Sequence, residues 1–309
     1  MRFLLLPILL LLPMLLPGRA HPQDATPTPE PPAVLNGFDR VVALGPVYVE
    51  DLLALGLAPV GISDLDSWRR ENRAGGDLLA KAVDVGPRLD PDLGAIAALA
   101  PDLIVGSIPG HGGLYGRLAG IAPTLLFDPR PGPGDMSRYQ ERVSTFRTLA
   151  VVLGRIDRAD AHQAHLDSIF SQARAALEAA GLAGTRVIVA RILPDPPGIA
   201  VMTPNAFASL VLEKVGLVNA WPGGFDDDGF QTVEVEALAA IPDATLLYAA
   251  DADDPAINAL TTSPAWQGLP MVQAGKALPL PEDIPLSPGI LSAEPFVRQI
   301  LTTLGAPPP

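Results

Sequence analysis

The side chains that could do chemistry do not form a complete metal-binding set in this sequence. The chain contains no cysteine and only four histidines. His162 and His165 are three residues apart in a helical pattern, a spacing that suits two ligands of one metal ion, but a zinc site needs at least one more protein ligand. The acidic run 226–228 lacks the alternating ligand pattern of a calcium loop. We therefore expect no metal site.

The glycine-rich stretch 106–113 (GSIPGHGG) offers the main enzyme alternative. It lies between a predicted strand and a predicted helix, and Asp128 ends the next strand, an arrangement typical of dinucleotide-binding proteins. The spacing, however, misses the G-x-G-x-x-G pattern by one residue. No G-x-S-x-G follows a predicted strand, so a serine hydrolase is not supported. We expect a protein that is not an enzyme.

Two stretches about 140 residues apart share one layout and reveal the architecture. Residues 92–107 (DLGAIAALAPDLIVGS) and 233–248 (VEVEALAAIPDATLLY) each predict a short helix, a Pro-Asp stop and a buried strand. A helix rarely continues into a proline, and an unbroken apolar run fits a strand covered on both faces. One such unit in each half indicates two α/β lobes, and a small ligand would be held in the cleft between them.

The remaining elements predict how the lobes are joined. Strands near 40–45, 60–63, 83–86 and 124–127 alternate with helices, which favours a mostly parallel sheet flanked by helices. A helix from Met136 to Leu153 precedes a second one between Asp157 and Gly181, and this second helix carries an apolar stripe and would span roughly 35 Å. We predict two Rossmann-like lobes, 36–135 and 182–309, joined through the helical segment 136–181 by a single long α-helix.

The amino terminus has the features of an export signal. Arg2 precedes an apolar run too short and too interrupted by proline to span a bilayer, so residues 1–20 predict a signal peptide and residues 21–35 a flexible Pro-rich leader. Without a cysteine the start cannot be a lipoprotein signal. We expect an unanchored periplasmic protein.

The charge balance restricts the classes of molecule that the protein can bind. Without Arg2 and Arg19, 19 basic and 34 acidic side chains remain, a net charge of −15. Such a surface repels nucleic acid and anionic lipid, so we expect neither as a partner. It suits docking on a basic protein surface.

Five segments in order resemble the periplasmic binding proteins of iron–siderophore and cobalamin ABC importers, especially the ferrichrome/hydroxamate type. They are RVVALGPVYVEDLLALGLAPVGISD (40–64), DVGPRLDPDLGAIAALAPDLIV (84–105), TPNAFASLVLEKVGLVNAWPG (203–223), SPAWQGLPMVQAGKALPLP (263–281) and LSAEPFVRQILTTLG (291–305). The resemblance covers nearly the whole mature chain. It implies little lobe movement on binding and delivery of the ligand, a ferric siderophore, to a membrane permease, with no cofactor.

The resemblance also implies ligand contacts. Arg88 matches an arginine that bonds hydroxamate oxygens, although from the residues alone it is better interpreted as a surface arginine paired with Asp90 or Asp92. Trp221 matches a tryptophan beside the pocket, and Trp68 lies in a loop where relatives place an aromatic residue. The alternative for both is that the ring packs beneath a loop, and we interpret Trp266 as a core residue.

The sequence departs from its relatives at other positions of the cleft. Where they carry a tyrosine after the strand ending at Ser107, either His111 or Tyr115 replaces the contact or nothing does, and residues 284–287 (IPLS) stand where they carry aromatic residues. Arg191, with the three loop arginines Arg69, Arg70 and Arg73, would favour a more anionic chelate, although from the residues alone such arginines are better interpreted as solvated.

Permease docking is implied for one glutamate in each lobe. Glu50 and Glu236 match the two docking positions, with Glu234 as a neighbouring candidate, and paired carboxylates on a rigid body would fix orientation on the permease. We expect a monomer. A haem or cobalamin carrier on the same fold is the alternative function.

Overall fold

The computed structural model describes residues 37–71, 76–129, 138–194, 197–226, 229–250, 254–281 and 289–309. The predicted signal peptide 1–20 and leader 21–35 lie outside the described residues, as do Arg73 and the segment 284–287. In the described parts of the chain, no helix combines the length and the apolar character that crossing a bilayer requires.

Five parallel strands form the sheet of the first lobe, in the order β3-β2-β1-β4-β5. The strands are β1 (Val41–Ala43), β2 (Gly61–Ile62), β3 (Val83–Asp84), β4 (Leu103–Ser107) and β5 (Thr124–Phe127). The helices are α1 (Pro46–Ala54), α2 (Leu65–Glu71), α3 (Leu93–Ala98), α4 (Ile108–His111) and α5 (Tyr115–Ala119), with 3₁₀ turns at Gly76–Leu79 and Gly112–Leu114. The strand order reverses direction between β1 and β4, which makes that position the switch point of a doubly wound sheet.

The sheet is buried on both faces, as the apolar runs predicted. Val41 and Ala43 belong to one core cluster, whereas Val42 and Leu44 belong to another on the opposite face. Since side chains alternate along a strand, this division follows directly from the sequence of β1.

The second lobe has a mixed sheet in the order β11-β10-β6-β7-β9, with β8 paired to β6. Its strands are β6 (Arg186–Pro194), β7 (Pro197–Met202), β8 (Val218–Asn219), β9 (Phe230–Val233), β10 (Thr245–Ala249) and β11 (Ala277–Leu280). Among the described strands of this sheet only β7 runs opposite to the others, antiparallel to both β6 and β9, so the expectation of a mostly parallel sheet is confirmed in both lobes. The direction of β7 follows from the short connection between β6 and β7, because a parallel partner would need a crossover of a dozen or more residues.

The helices of the second lobe are mostly short. They are α8 (Phe207–Lys214), α9 (Pro255–Thr261), α10 (Pro264–Gln267), α11 (Pro270–Gln273) and α12 (Ala293–Thr303), with a 3₁₀ helix at Val235–Ala240. α9 and α10 are separate helices, because Ser263 caps a new helix that starts at Pro264.

A long helix joins the lobes, as predicted. α6 (Arg138–Val152) is followed by α7 (Ile156–Ala179), whose 24 residues span about 36 Å. Near its start, Arg158 packs under Gly56 of the first lobe, and near its end Arg174 donates hydrogen bonds to the carbonyls of Glu213 and Lys214 in the second. α7 therefore contacts both lobes along one rigid element.

One apolar core runs through both lobes and the helices between them. The cluster includes Val105 of the first sheet, Leu149 of α6, Leu166 of α7, Val189 of the second sheet and Ile300 of α12. Because the interior of this junction is continuous and closely packed, moving one lobe against the other would expose apolar surface.

Candidate functional site

The carboxyl ends of the first-lobe strands form the candidate site. Ligands of open α/β sheets bind at this edge, beside the switch point. α1 starts here, directly after β1, and the side chain of Glu50 on α1 reaches Leu291 and Ser292 of the second lobe. The edge therefore lies beside the second lobe.

Arg88 lies at this edge, in the loop after β3. Its backbone N–H donates to Asp64 Oδ2 at 3.1 Å, and its Nε lies 4.0 Å from the same oxygen, so within the described parts of the chain the guanidinium has only this loose ionic partner. The alternative pairing with Asp90 or Asp92 is wrong, since Asp92 caps α3 instead. The side chain is 52% exposed and its Cδ approaches Gly45, which places its donors near the end of β1.

His111 is not a ligand contact. Its side chain is completely buried, its Nδ1 accepts the N–H of Ser107 at 3.0 Å, and its Nε2 lies 2.8 Å from the carbonyl oxygen of Arg88. Both ring nitrogens are therefore occupied by backbone groups. The prediction fails because the glycine-rich stretch folds into α4 and a 3₁₀ turn that point the imidazole inwards, and the same folding leaves no open glycine loop for a dinucleotide.

Tyr115 remains a candidate contact. It opens α5 and is 51% exposed, so its hydroxyl and ring are accessible. Two further apolar side chains at the same edge, Leu89 and Ile108, are also exposed. Sequence reasoning missed both, although an apolar residue in the polar turn Pro-Arg-Leu-Asp-Pro is a signal that could have found Leu89.

The two tryptophans expected to line the cleft are core residues. Trp68 lies on α2 rather than in a loop and is 3% exposed. Trp221 follows β8 and packs in the outer core of the second lobe, where its indole Nε1 donates to Gln231 Oε1 at 2.9 Å. Neither ring is an open aromatic wall, because Trp68 packs in the core of the first lobe and Trp221 in that of the second. Trp266 is buried, as predicted.

Arg191 lies on β6, opposite Ala249 of β10 and Ala200 of β7. Strand alternation places it on the same face as Val187 and Val189, which pack towards the helices between the lobes. The side chain is partly exposed, and no carboxylate among the described residues lies within ion-pair distance of it. It can therefore offer a free guanidinium from the second lobe.

Of the three arginines expected in the loop, Arg69 lies on α2 and has a carboxylate partner. Arg69 forms an exposed pair with Asp66 at 3.4 Å, a contact that is common on protein surfaces. The exposure of Arg70 is not described, and Arg73 lies outside the described residues.

Glu50 is buried, which contradicts its predicted docking role. The side chain is 1% exposed, and its carboxylate accepts the N–H of Leu291 at 3.1 Å, the N–H of Ser292 at 2.9 Å and the hydroxyl of Ser292 at 2.8 Å. Burial raises the pKa of this carboxyl, and the donors from Ser292 oppose that rise in part. A permease cannot reach the group, since it already links α1 to the start of α12.

Asp51 continues this buried junction. It is completely buried and accepts a hydrogen bond from Arg142 Nη2 of α6 at 2.6 Å, while Glu141 and Tyr48 lie close by. Three carboxyl groups thus surround one guanidinium in the interior. Glu236, in contrast, is exposed in the first turn of its 3₁₀ helix, so its predicted docking role stays a prediction.

Both histidines of α7 contact polar groups of the second lobe. His162 Nε2 lies 3.1 Å from the carbonyl of Ile290, and His165 Nε2 lies 2.6 Å from Glu294 Oε2. Across the residues that the structure describes, no group of three or more histidine or acidic side chains is arranged to hold a metal ion.

A surface groove of about 500 Å³ lies elsewhere, along α6 and α7 between Tyr139, Val151 and Gln163. None of the residues that line it is a predicted ligand contact.

The comparisons with known proteins agree with this geometry. Residues 41–284 match the family model described as "Periplasmic binding protein". The chain is 29% identical over 267 residues to the iron(3+)-hydroxamate-binding protein FhuD of Escherichia coli K12, covering 86% of this chain and 87% of that protein. It is 26% identical over 270 residues to the Fe(3+)-citrate-binding protein YfmC of Bacillus subtilis 168, covering 85% and 79%.

A solved structure has the same fold. The Fe³⁺–Desferal-bound siderophore-binding protein FhuD from Vibrio cholerae superposes with a TM-score of 0.78 at 27% identity, covering 87% of this chain and 98% of that one.

Proposed function

The chain belongs to the periplasmic binding protein family, and on this premise we propose that it captures a ferric siderophore between its lobes and delivers it to the permease of an ABC importer. The observation that carries the proposal is Arg88, a half-exposed guanidinium at the switch-point edge with only a loose carboxylate partner. A ferric chelate presents oxygen atoms with negative charge, and a forked cationic donor binds such oxygens well.

The surroundings of Arg88 support a bulky and partly apolar ligand. Leu89, Ile108 and Tyr115 are exposed at the same edge, and Arg191 offers a second guanidinium from the other lobe. Ligand sites combine apolar walls with a few oriented polar groups. The relatives named above are binding proteins for ferric chelates, and our proposal for this chain contains no catalytic step.

We place the protein in the periplasm, as a monomer that docks on the permease through exposed carboxylates. Glu236 is the candidate in the second lobe. The absence of cysteine from the chain supports a form without a lipid attached to cysteine. The continuous core between the lobes supports binding with little lobe movement.

Tryptophan-fluorescence titration of the mature chain tests the proposal. The panel is ferric Desferal, a ferric catecholate, ferric citrate, haem and cobalamin. We expect saturable quenching by a ferric chelate and a loss of affinity of about ten- to a hundredfold in Arg88→Ala, because one charge-assisted hydrogen bond contributes about 1.5–3 kcal/mol. Arg147→Ala is the matched control, since Arg147 is 49% exposed and lies on α6. Binding of haem or cobalamin alone would replace the siderophore proposal with the alternative carrier.

A further inference from the structure

The loop that carries Arg88 must lean across two strands to reach the switch point. In the order β3-β2-β1-β4, three strand spacings separate β3 from β4, roughly 14 Å. The carbonyl of Arg88, after β3, nevertheless lies 2.8 Å from the imidazole of His111, after β4. This contact bridges the ends of β2 and β1 and brings the Arg88 loop to the place where α/β sheets bind ligands.

The partners of His111 fix its protonation pattern. A backbone N–H can only donate, so the Nδ1 that faces Ser107 must be an unprotonated acceptor. A carbonyl can only accept, so the Nε2 that faces Arg88 must carry the proton. The neutral ring is therefore a directional link from the backbone of β4 to the backbone of the Arg88 loop.

The residues around the imidazole of His111 fix its position. A Cβ on Gly106 would lie 2.8 Å from Nδ1, so glycine at this position lets the imidazole lie against β4. Ser107 caps α4 by accepting the N–H of Gly110 at 3.2 Å, which sets the short helix that carries His111. On the other side, Asp64 accepts the N–H of Arg88, so both backbone polar groups of Arg88 have a side-chain partner.

We propose that His111 is a positioning residue that holds Arg88 over the switch point and thereby sets the affinity for the chelate. The inference rests on the proposed function of Arg88 as a ligand contact. His111 itself touches no ligand, since it is completely buried. Its effect on binding must therefore pass through the carbonyl of Arg88.

Two substitutions separate the two bonds of the ring. In His111→Gln the side-chain amide nitrogen can occupy the position of Nε2 and still donate to the carbonyl of Arg88. The side chain of His111→Asn is shorter, so its amide oxygen can occupy only the position of Nδ1, where it still accepts the N–H of Ser107. Amide hydrogen exchange in the absence of ligand measures how often the Arg88 loop opens, because the Arg88 N–H exchanges only when its bond to Asp64 is broken. We expect the Arg88 amide to exchange about tenfold faster in His111→Asn and at the wild-type rate in His111→Gln.

The binding readout is a double-mutant cycle with ferric Desferal as the probe. We expect His111→Asn to weaken binding about three- to tenfold, the size of one net hydrogen bond. The same substitution should have no further effect in an Arg88→Ala background, and His111→Gln should keep the wild-type affinity. Near-UV circular dichroism and thermal melting verify that each variant is folded.

Different results overturn different claims. Equal losses of affinity in both backgrounds, or a loss in folded His111→Gln as large as that in His111→Asn, would show that His111 acts on the fold and not through Arg88. If the wild type binds no ferric chelate, the proposed function fails, while the exchange rates still decide whether His111 holds the Arg88 loop. Should His111→Asn not fold, His111→Gln decides: a wild-type exchange rate at Arg88 with wild-type affinity supports the role of His111 as donor to the Arg88 carbonyl, whereas a loss of affinity that persists in the Arg88→Ala background overturns it.

Discussion

Asp51→Asn should remove a pH dependence of stability that originates in the buried junction between the lobes. The Asp51 carboxyl is completely buried 2.6 Å from Arg142. Burial, reinforced by the neighbouring charges of Glu50 and Glu141, outweighs the attraction of Arg142 and raises the pKa of Asp51 from 3.8 to about 7. Asparagine has nearly the same shape and cannot ionise.

The size and sign of the effect follow from proton linkage. Between pH 4 and pH 7 the folded chain retains a proton on Asp51 that the unfolded chain has released, so the free energy of unfolding falls as the pH rises through this window. A pKa raised by about three units corresponds to about 4 kcal/mol. Above about pH 8 both states are ionised and the dependence ends. Relative to Asp51→Asn, the wild type should therefore lose about 4 kcal/mol from pH 4 to pH 8, the range over which the two pKa values are crossed.

Urea unfolding at pH 4 to 8, followed through the buried tryptophans, measures this difference. Asp160→Asn is the matched control, because Asp160 pairs with Arg147 at the same 2.6 Å but on the surface, where a pair contributes at most about 1 kcal/mol. The reasoning is refuted if Asp51→Asn has a lower free energy of unfolding than the wild type and this difference grows with pH. That result would mean that an ionised carboxylate paired with Arg142 dominates, and that breaking the pair leaves a buried charge uncompensated.

Three other outcomes are expected. Glu50→Gln should lower the free energy of unfolding in urea by about 2 kcal/mol. Its amide nitrogen is a donor and would face the N–H groups of Leu291 and Ser292, which now donate to the carboxylate. Gly106→Ala should lower the melting temperature, corresponding to about 1–3 kcal/mol, since its methyl would meet the buried imidazole, whereas Gly113→Ala, with open space around it, should not. Glu236→Ala should reduce stimulation of the permease in reconstituted vesicles without changing ligand affinity, and Glu234→Ala, also exposed, shows whether the effect is specific.

The lobes and the helix that joins them could be predicted because their signals are local. A buried strand after a Pro-Asp stop, and an apolar stripe between two helix-ending residues, each need only a short window of sequence. The reversed strand β7 was not predicted, because prolines at the end of β6 (Pro194) and at the start of β7 (Pro197) interrupt the apolar pattern by which two paired strands are recognised in a sequence.

The site was predicted less well, because burial of a polar side chain depends on partners far along the chain. Glu50 and Ser292 are 242 residues apart, and only the folded chain shows that they meet. One local signal was available: α1 reads PVYVEDLLA, and two adjacent acids in a helix that is otherwise apolar are more consistent with a buried junction than with a docking face. His111 has no such signal, since a glycine-rich stretch predicts a loop as readily as it predicts α4.

The position of the buried junction has a consequence for how the protein selects a ligand. α1 begins at the edge where Arg88 lies and carries both acids that hold α6 and the start of α12. The spacing of the lobes is therefore set a few residues from the proposed ligand site, by contacts formed when the chain folds. A gap with fixed walls loses little conformational entropy on binding, but it cannot adapt to a chelate of another size. Specificity should then come from shape and from the placement of Arg88, so a substitution in the junction that leaves every ligand contact intact should still change which chelate binds.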